Sequence, residues 1–111
     1  MLEIRKEQME VFEKDMRRRI KQRTMMDLRR ERPAEFEKRG EEHFRELIEV
    51  AEGRIDQFDG DLYKDLHRYI LLMLDLGLNF HTDEVWAAEV FNDDEVPGVS
   101  KLDVLEIYAA D

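Results

Sequence analysis

Apolar residues recur every three or four positions along the first third of the chain. Met9, Phe12, Met16 and Ile20 follow one another at spacings of three, four and four, which keeps them on one side of a helix. Pro33 ends the pattern, because the residue before a proline is pushed out of the helical region of backbone space. The spacing predicts a long N-terminal helix over about residues 5–31, which either packs on the rest of the chain or projects from it.

Two further stretches have strong apolar patterns. Between about residues 41 and 58, apolar side chains at helical spacing predict a second helix; they are Phe44, Leu47, Ile48, Ala51, Ile55 and Phe58. In HRYILLMLDLGLNF, residues 67–80, nine of fourteen residues are apolar, although 41% of the whole chain is charged. This run is shorter than the roughly 20 residues that a bilayer crossing needs. It therefore predicts a central, buried helix over about residues 62–76.

Capping residues place the remaining boundaries. Pro33 can open a short helix that Gly40 ends, and Asp61 is the expected N-cap of the central helix. Thr82 is the expected N-cap of a short helix with the sequence DEVWAAEVF, and Ser100 with Asp103 gives a start signal for the last helix. The chain shows no convincing strand. It is predicted to be a single all-α domain over residues 1–111, with a compact helical array beside the long N-terminal helix.

Charge is distributed unevenly along the 111 residues. The net charge is −10, yet residues 1–32 carry 11 basic and 7 acidic side chains, whereas the remainder carries 7 basic and 21 acidic ones. This asymmetry favours a basic helix lying against an acidic body, or self-association, over nucleic-acid binding. There are no cysteines, and the start MLEIRKEQMEVF has no apolar secretion signal. Both features predict a cytoplasmic protein that is not attached to a membrane.

Motifs for catalysis or metal binding are not evident. The acidic run from Asp56 to Asp65 fails as an EF-hand, because Gly60 in the sixth position would put Ile55 in the first. His43, His67 and His81 lack the spacing of a helical zinc pair. The sequence has no nucleophile elbow and no phosphate-binding glycine loop. We therefore predict a protein that is not an enzyme and that needs no cofactor or metal.

The basic cluster of the first helix has two interpretations. Arg17, Arg18, Arg19, Lys21 and Arg23 could contact phosphates, but no aromatic residue lies among them for stacking on bases. Pairs such as Glu13–Arg17 and Asp15–Arg19 favour a solvated helix face held by ion pairs. The single tryptophan, Trp86, is predicted to belong to the core, and it becomes a candidate anchor for a partner if part of it is exposed.

Three stretches resemble a family of small proteins from Gram-negative bacteria. They are IRKEQMEVF, RYILLMLDLGLNF and WAAEVFND, and they are similar to proteins encoded beside the spike, PAAR and effector genes of type VI secretion systems. The shared positions are Ile4, Arg5, Glu7, Gln8, Met9, Phe12, Tyr69, Ile70, Leu72, Met73, Gly77, Phe80, Trp86 and Ala87. The family pattern has a proline near the W-A pair, which this chain lacks. The resemblance implies a cytoplasmic adaptor or chaperone that helps an effector load onto the secretion spike.

Three hypotheses for function follow. As an adaptor, the chain would bind a secretion effector or spike component through residues of the first helix and one tryptophan: Met9, Phe12, Met16, Arg17, Ile20, Lys21, Arg23 and Trp86. As an immunity protein, it would neutralise a basic toxin through an acidic surface: Asp56, Asp59, Asp61, Asp93, Asp94 and Glu95. As a plain helical homodimer, it would pair its long helix with a second copy.

Overall fold

A computed structural model describes residues 6–110, and over that range the chain forms seven α-helices, one 3-10 helix and no strand. The α-helices are α1 (Lys6–Glu31), α2 (Pro33–Arg39), α3 (Glu41–Gln57), α4 (Leu62–Leu76), α5 (Phe80–Asp83), α6 (Val85–Asn92) and α7 (Lys101–Ala110), and the 3-10 helix spans Gly98–Ser100. The predicted all-α class is confirmed. The predicted start of the first helix at residue 5 lies outside the described residues, as do Ile4 and Arg5 of the family resemblance.

The boundaries of α1 and α2 follow the predicted signals. Pro33 is the first residue of α2, and the Arg32 amide before it still donates to the Leu28 carbonyl, at 2.8 Å. Gly40 ends α2 with a φ of 89°, a backbone conformation that glycine adopts without steric cost. The chain turns here without a long loop, so α3 starts one residue after α2 ends.

The helix α4 is the centre of the fold, as predicted. Its N-terminus is capped by Asp61, whose carboxylate accepts the amides of Tyr63 and Lys64. It contacts α1, α3, α5 and α7, which explains why apolar residues cover almost all of its surface. Its buried apolar residues are Leu62, Leu66, Tyr69, Ile70, Leu72 and Met73.

Aromatic side chains fill the core between α4 and the C-terminal helices. The Tyr69 ring lies 5.2 Å from that of Phe80 and 6.3 Å from those of Phe58 and Phe91, measured between centroids. These separations lie within the range over which aromatic rings attract each other. The cluster joins the end of α3 to α5 and α6, and so it fixes the position of the second half of the chain.

The prediction for Thr82 is wrong. Phe80 is fully buried, and the helical turn α5 already begins there. Thr82 therefore lies inside α5, where its hydroxyl donates to the Asn79 carbonyl at 3.2 Å. The backbone then becomes extended at Glu84, and α6 begins at Val85 without a side-chain cap. Burial of one aromatic ring thus outweighs the local capping signal.

The start of the last helix is confirmed by α7, which begins at Lys101 after the 3-10 turn. Lys101 is buried, and its ammonium group donates to the carbonyls of Val90 and Asp93, at 3.0 and 2.9 Å. The lysine therefore ties the start of α7 to the end of α6. Gly98 lies so close to the turn after α3 that an added Cβ would be 2.2 Å from the Phe58 carbonyl oxygen.

Candidate partner-binding surface

The apolar side of α1 passes from buried to exposed along the helix. Leu28 is fully buried, and Ile20 is half-buried and packs against the core. Towards the N-terminus, Met16 is 40% exposed, Phe12 is 68% exposed and Met9 is 59% exposed. The stripe predicted from the sequence is therefore covered by the body at one end and open at the other. We refer to Met9, Phe12 and Met16 as the open stripe.

Ion pairs attach the middle of α1 to α3. The Arg17 guanidinium donates to Glu52 at 2.9 Å and to Asp56 at 3.1 Å, and the Lys21 ammonium group donates to Glu49 and Glu52, both at 3.2 Å. The hydrogen bonds to Asp56 and Glu52 raise the pKa of Arg17. This arrangement is the basic helix on an acidic body that the charge asymmetry predicted.

These contacts divide the predicted basic residues into two groups. Arg17 and Lys21 are engaged by carboxylates of the same chain, and burial opposes the rise that those carboxylates cause in the pKa of Lys21. Arg23 is largely exposed and lies 3.9 Å from Asp27. The predicted pairs Glu13–Arg17 and Asp15–Arg19 are both present, at 3.7 and 3.0 Å. Arg23 and Arg19 thus have much more surface open to a partner than Arg17 and Lys21.

A groove of about 430 Å³ lies between α1 and α4, directly beside the open stripe. Met16 and Ile20 contribute apolar surface to it. Its cationic groups, which include Arg19, Arg23 and Lys64, outnumber the one carboxylate in its lining, that of Asp27. Tyr63, on the α4 side, is 80% exposed. A groove with apolar and cationic linings fits one face of an amphipathic, acidic segment better than a small ligand.

Sequence reasoning missed Tyr63 as part of this surface. It lies in the first turn of α4 and does not fall on the apolar face that the spacing of the core residues defines. The sequence pattern of α4 therefore predicts its core residues and gives no role to Tyr63. The indication in the sequence is its place beside Lys64 and His67, on the polar side of the helix. His67 pairs with Glu31 of α1 at 2.8 Å, which holds α4 and α1 together at this groove.

Trp86 is half-buried and packs against the core. Its ring lies 6.1 Å from that of Tyr108, and both residues line a shallow groove between α6 and α7. Tyr108 is more than half exposed. The structure does not bring Trp86 together with the open stripe, because its groove is formed by α6 and α7 and not by α1.

Three of the six acidic residues proposed for toxin binding already make contacts within the chain. Asp61 caps α4, Asp56 is bound by Arg17, and the Asp93 carboxylate accepts the Glu95 amide at 2.9 Å. Asp59 occupies the turn with a φ of 58°, and Asp94 and Glu95 are exposed in the loop after α6. The N-cap predicted at Asp61 is confirmed by its hydrogen bonds to the first turn of α4.

The described residues offer neither a metal site nor a membrane-spanning helix. Over residues 6–110, no cluster of three His, Asp or Glu side chains is arranged to hold a metal ion. None of the helices in that range combines the length and the hydropathy needed to cross a membrane.

Fold and surface together define a small all-α protein whose longest helix carries an uncovered apolar stripe. Comparison of the chain with known protein families, with curated proteins and with solved structures finds no match. The resemblance to proteins encoded beside type VI secretion genes therefore stays a prediction. Any functional proposal has to start from the surface of this chain.

Proposed function

We propose that the protein is a non-enzymatic adaptor or chaperone that binds a partner protein through the open stripe of α1. The observation that carries the proposal is the change in exposure along one helix face, from fully buried Leu28 to Phe12 with two thirds of its surface in water. Covering a large apolar side chain stabilises a complex by about 1.5–3 kcal/mol. Three such residues in a row are a typical core for a small protein interface.

The groove between α1 and α4 extends this surface and defines its polarity. The cations Arg19, Arg23 and Lys64 surround the apolar floor and favour an acidic partner segment. Arg17 and Lys21 support the same surface indirectly, because their ion pairs with α3 hold α1 in place. A helix that carries apolar residues at spacings of three and four, with acidic residues beside them, has the matching chemistry.

The family resemblance supplies the biological setting of the proposal. The partner would be an effector or a spike component of a type VI secretion system, bound in the cytoplasm before secretion. The immunity hypothesis is the alternative, in which the exposed Asp94 and Glu95 bind a basic toxin. In that case salt would weaken binding strongly by screening the charges, whereas binding to the open stripe would weaken less, because only its cationic rim is screened.

The test is co-purification of the tagged protein with the products of its neighbouring genes, at low and at high salt. Phe12→Asp with Met16→Asp is expected to abolish capture of an effector or spike component. The matched control is Val11→Asp, because Val11 has the same exposed fraction as Phe12 but lies about 140° around the helix from Met16.

Each result separates the hypotheses. Equal loss of capture with Val11→Asp would mean that the helix as a whole has been disturbed, and the assignment of the stripe would be wrong. Capture that depends on Asp94 and Glu95, and that neutralises a toxin, would establish the immunity hypothesis. No capture together with self-association would favour the homodimer.

A further inference from the structure

A second cavity, of about 260 Å³, lies between α3, α4, α5 and α6 and shares no lining residue with the α1–α4 groove. The rings of Phe58 and Phe91, with centroids 5.2 Å apart, and the methyl group of Ala88 form its apolar part. A cavity of about 150 Å³ holds benzene, whereas drug-sized ligands occupy about 300 Å³ or more. The space therefore suits a molecule with one ring.

Two buried polar atoms at this cavity have unmet hydrogen-bonding capacity. Tyr69 is fully buried, and among the described residues its hydroxyl group has no acceptor within hydrogen-bond distance, and Nδ1 of His81 has no partner there either. Both side chains line the cavity. Buried polar groups in folded proteins are nearly always hydrogen-bonded to protein or to ordered water, so these two atoms mark the part of the cavity where water or a bound molecule supplies the partners.

Arg54 places a fixed positive charge beside these atoms. Its guanidinium donates to the Leu78 carbonyl at 2.5 Å and to the Asn79 side chain at 3.0 Å. One hydrogen bond from each terminal nitrogen leaves a second hydrogen on each. The charge of Arg54 also acts to lower the pKa of both Tyr69 and His81.

The protonation states of these side chains follow from burial. Burial raises the pKa of Tyr69, and the charge of Arg54 together with a hydrogen bond to its side chain only partly opposes this rise. Burial lowers the pKa of His81, and Arg54 lowers it further, against the smaller opposing effect of Asp83. At neutral pH the cavity therefore has a neutral phenol that can donate, a neutral imidazole and one guanidinium cation.

From this arrangement we infer that the cavity binds a small aromatic carboxylate. The carboxylate accepts from Arg54 and from the Tyr69 hydroxyl, and the ring lies against Phe58 and Phe91. A polar substituent on the ring can pair with Nδ1 of His81. The inference stands apart from the proposed partner binding, because the cavity shares no lining residue with the α1–α4 groove and includes none of the residues of the open stripe.

The experiment is a titration of the isotope-labelled protein with sodium benzoate, followed by the amide shifts in its NMR spectrum. We expect saturable changes that include the amides of Ala88 and Phe91, with an affinity of roughly millimolar for a ligand of this size. Benzyl alcohol, which has the ring but no charge, should bind more weakly. Tyr69→Phe should weaken benzoate binding about five- to tenfold, the effect of one hydrogen bond.

The control variant is Tyr108→Phe, which removes the hydroxyl group of a tyrosine that is more than half exposed on α7. Tyr108 lines neither this cavity nor the α1–α4 groove, so this variant should leave binding unchanged. Absence of saturable changes up to about 10 mM benzoate would overturn the inference. Equal binding of benzoate by Tyr69→Phe and by the unaltered protein would overturn it too. If Tyr69→Phe does not fold, tighter binding of benzoate than of benzyl alcohol by the unaltered protein supports the site, and equal binding refutes it.

Discussion

The division of α1 into a packed half and an open half gives a direct thermodynamic prediction. Leu28→Ala removes a fully buried side chain from the core, and such changes cost about 2–5 kcal/mol of the free energy of unfolding. Phe12→Ala removes a larger side chain whose surface is mostly in water already. Substitutions at exposed positions usually change stability by no more than about 0.5 kcal/mol.

Phe12→Ala should therefore lower the free energy of unfolding less than Leu28→Ala does, although phenylalanine is the larger side chain. With a total stability of about 5–15 kcal/mol for a domain of this kind, loss of Leu28 would remove a substantial fraction of it. The measurement is urea unfolding of both variants, followed by circular dichroism, at two protein concentrations about tenfold apart. Unequal midpoints with the same denaturant dependence would show a difference in stability alone.

If Phe12→Ala lowers the free energy of unfolding by more than about 1.5 kcal/mol, the division of α1 into a packed half and an open half is wrong. A cost that grows with protein concentration would show that a second copy covers the stripe, because mass action then stabilises the folded form. A cost that is independent of concentration would show that the stripe packs on its own body. Either result would remove the main support for binding of a different partner through the open stripe.

Two further predictions concern single positions. Gly53→Ala should raise the free energy of unfolding by about 0.5–1 kcal/mol, because an added Cβ meets nothing within 4 Å. Gly98→Ala should lower it, because the added Cβ would collide with the Phe58 carbonyl oxygen. Equal shifts of the thermal unfolding midpoint in the two variants would contradict this prediction. Burial and then Arg54 hold the pKa of His81 below 6.5, so the unfolded chain takes up a proton first and stability should fall as the pH drops below that value. His81→Asn should lose this part of the pH dependence of thermal unfolding, and an unchanged pH profile would refute the assignment.

The sequence was sufficient for the parts of the fold that depend on local spacing and on backbone restriction. Pro33 and Gly40 set the limits of α2, and Asp61 set the start of α4, because each acts on its own neighbours in the chain. Thr82 shows the limit of such reasoning. Its capping signal is local, but the position of α5 is decided by the burial of Phe80 against Tyr69, a contact between side chains of two different helices.

Long-range contacts also explain what was missed at the candidate sites. The spacing of the open stripe is evident in the sequence, but only the three-dimensional structure shows which residues of α1 the other helices cover. The pairing of Arg17 with Asp56 depends on how α1 lies on α3, and so the sequence assigned these residues to two different binding surfaces. The cavity at Tyr69 and His81 has no motif, because its lining comes from four helices.

The open half of α1 separates two kinds of evolutionary constraint. Leu28 and its neighbours must remain apolar and well packed for the chain to fold, so few substitutions are tolerated there. Met9, Phe12 and Met16 add little to folding, and selection on them is free to follow whatever they contact. Under the proposed function, a change of partner therefore needs only a few substitutions in a single helix, while the remainder of the domain stays as it is.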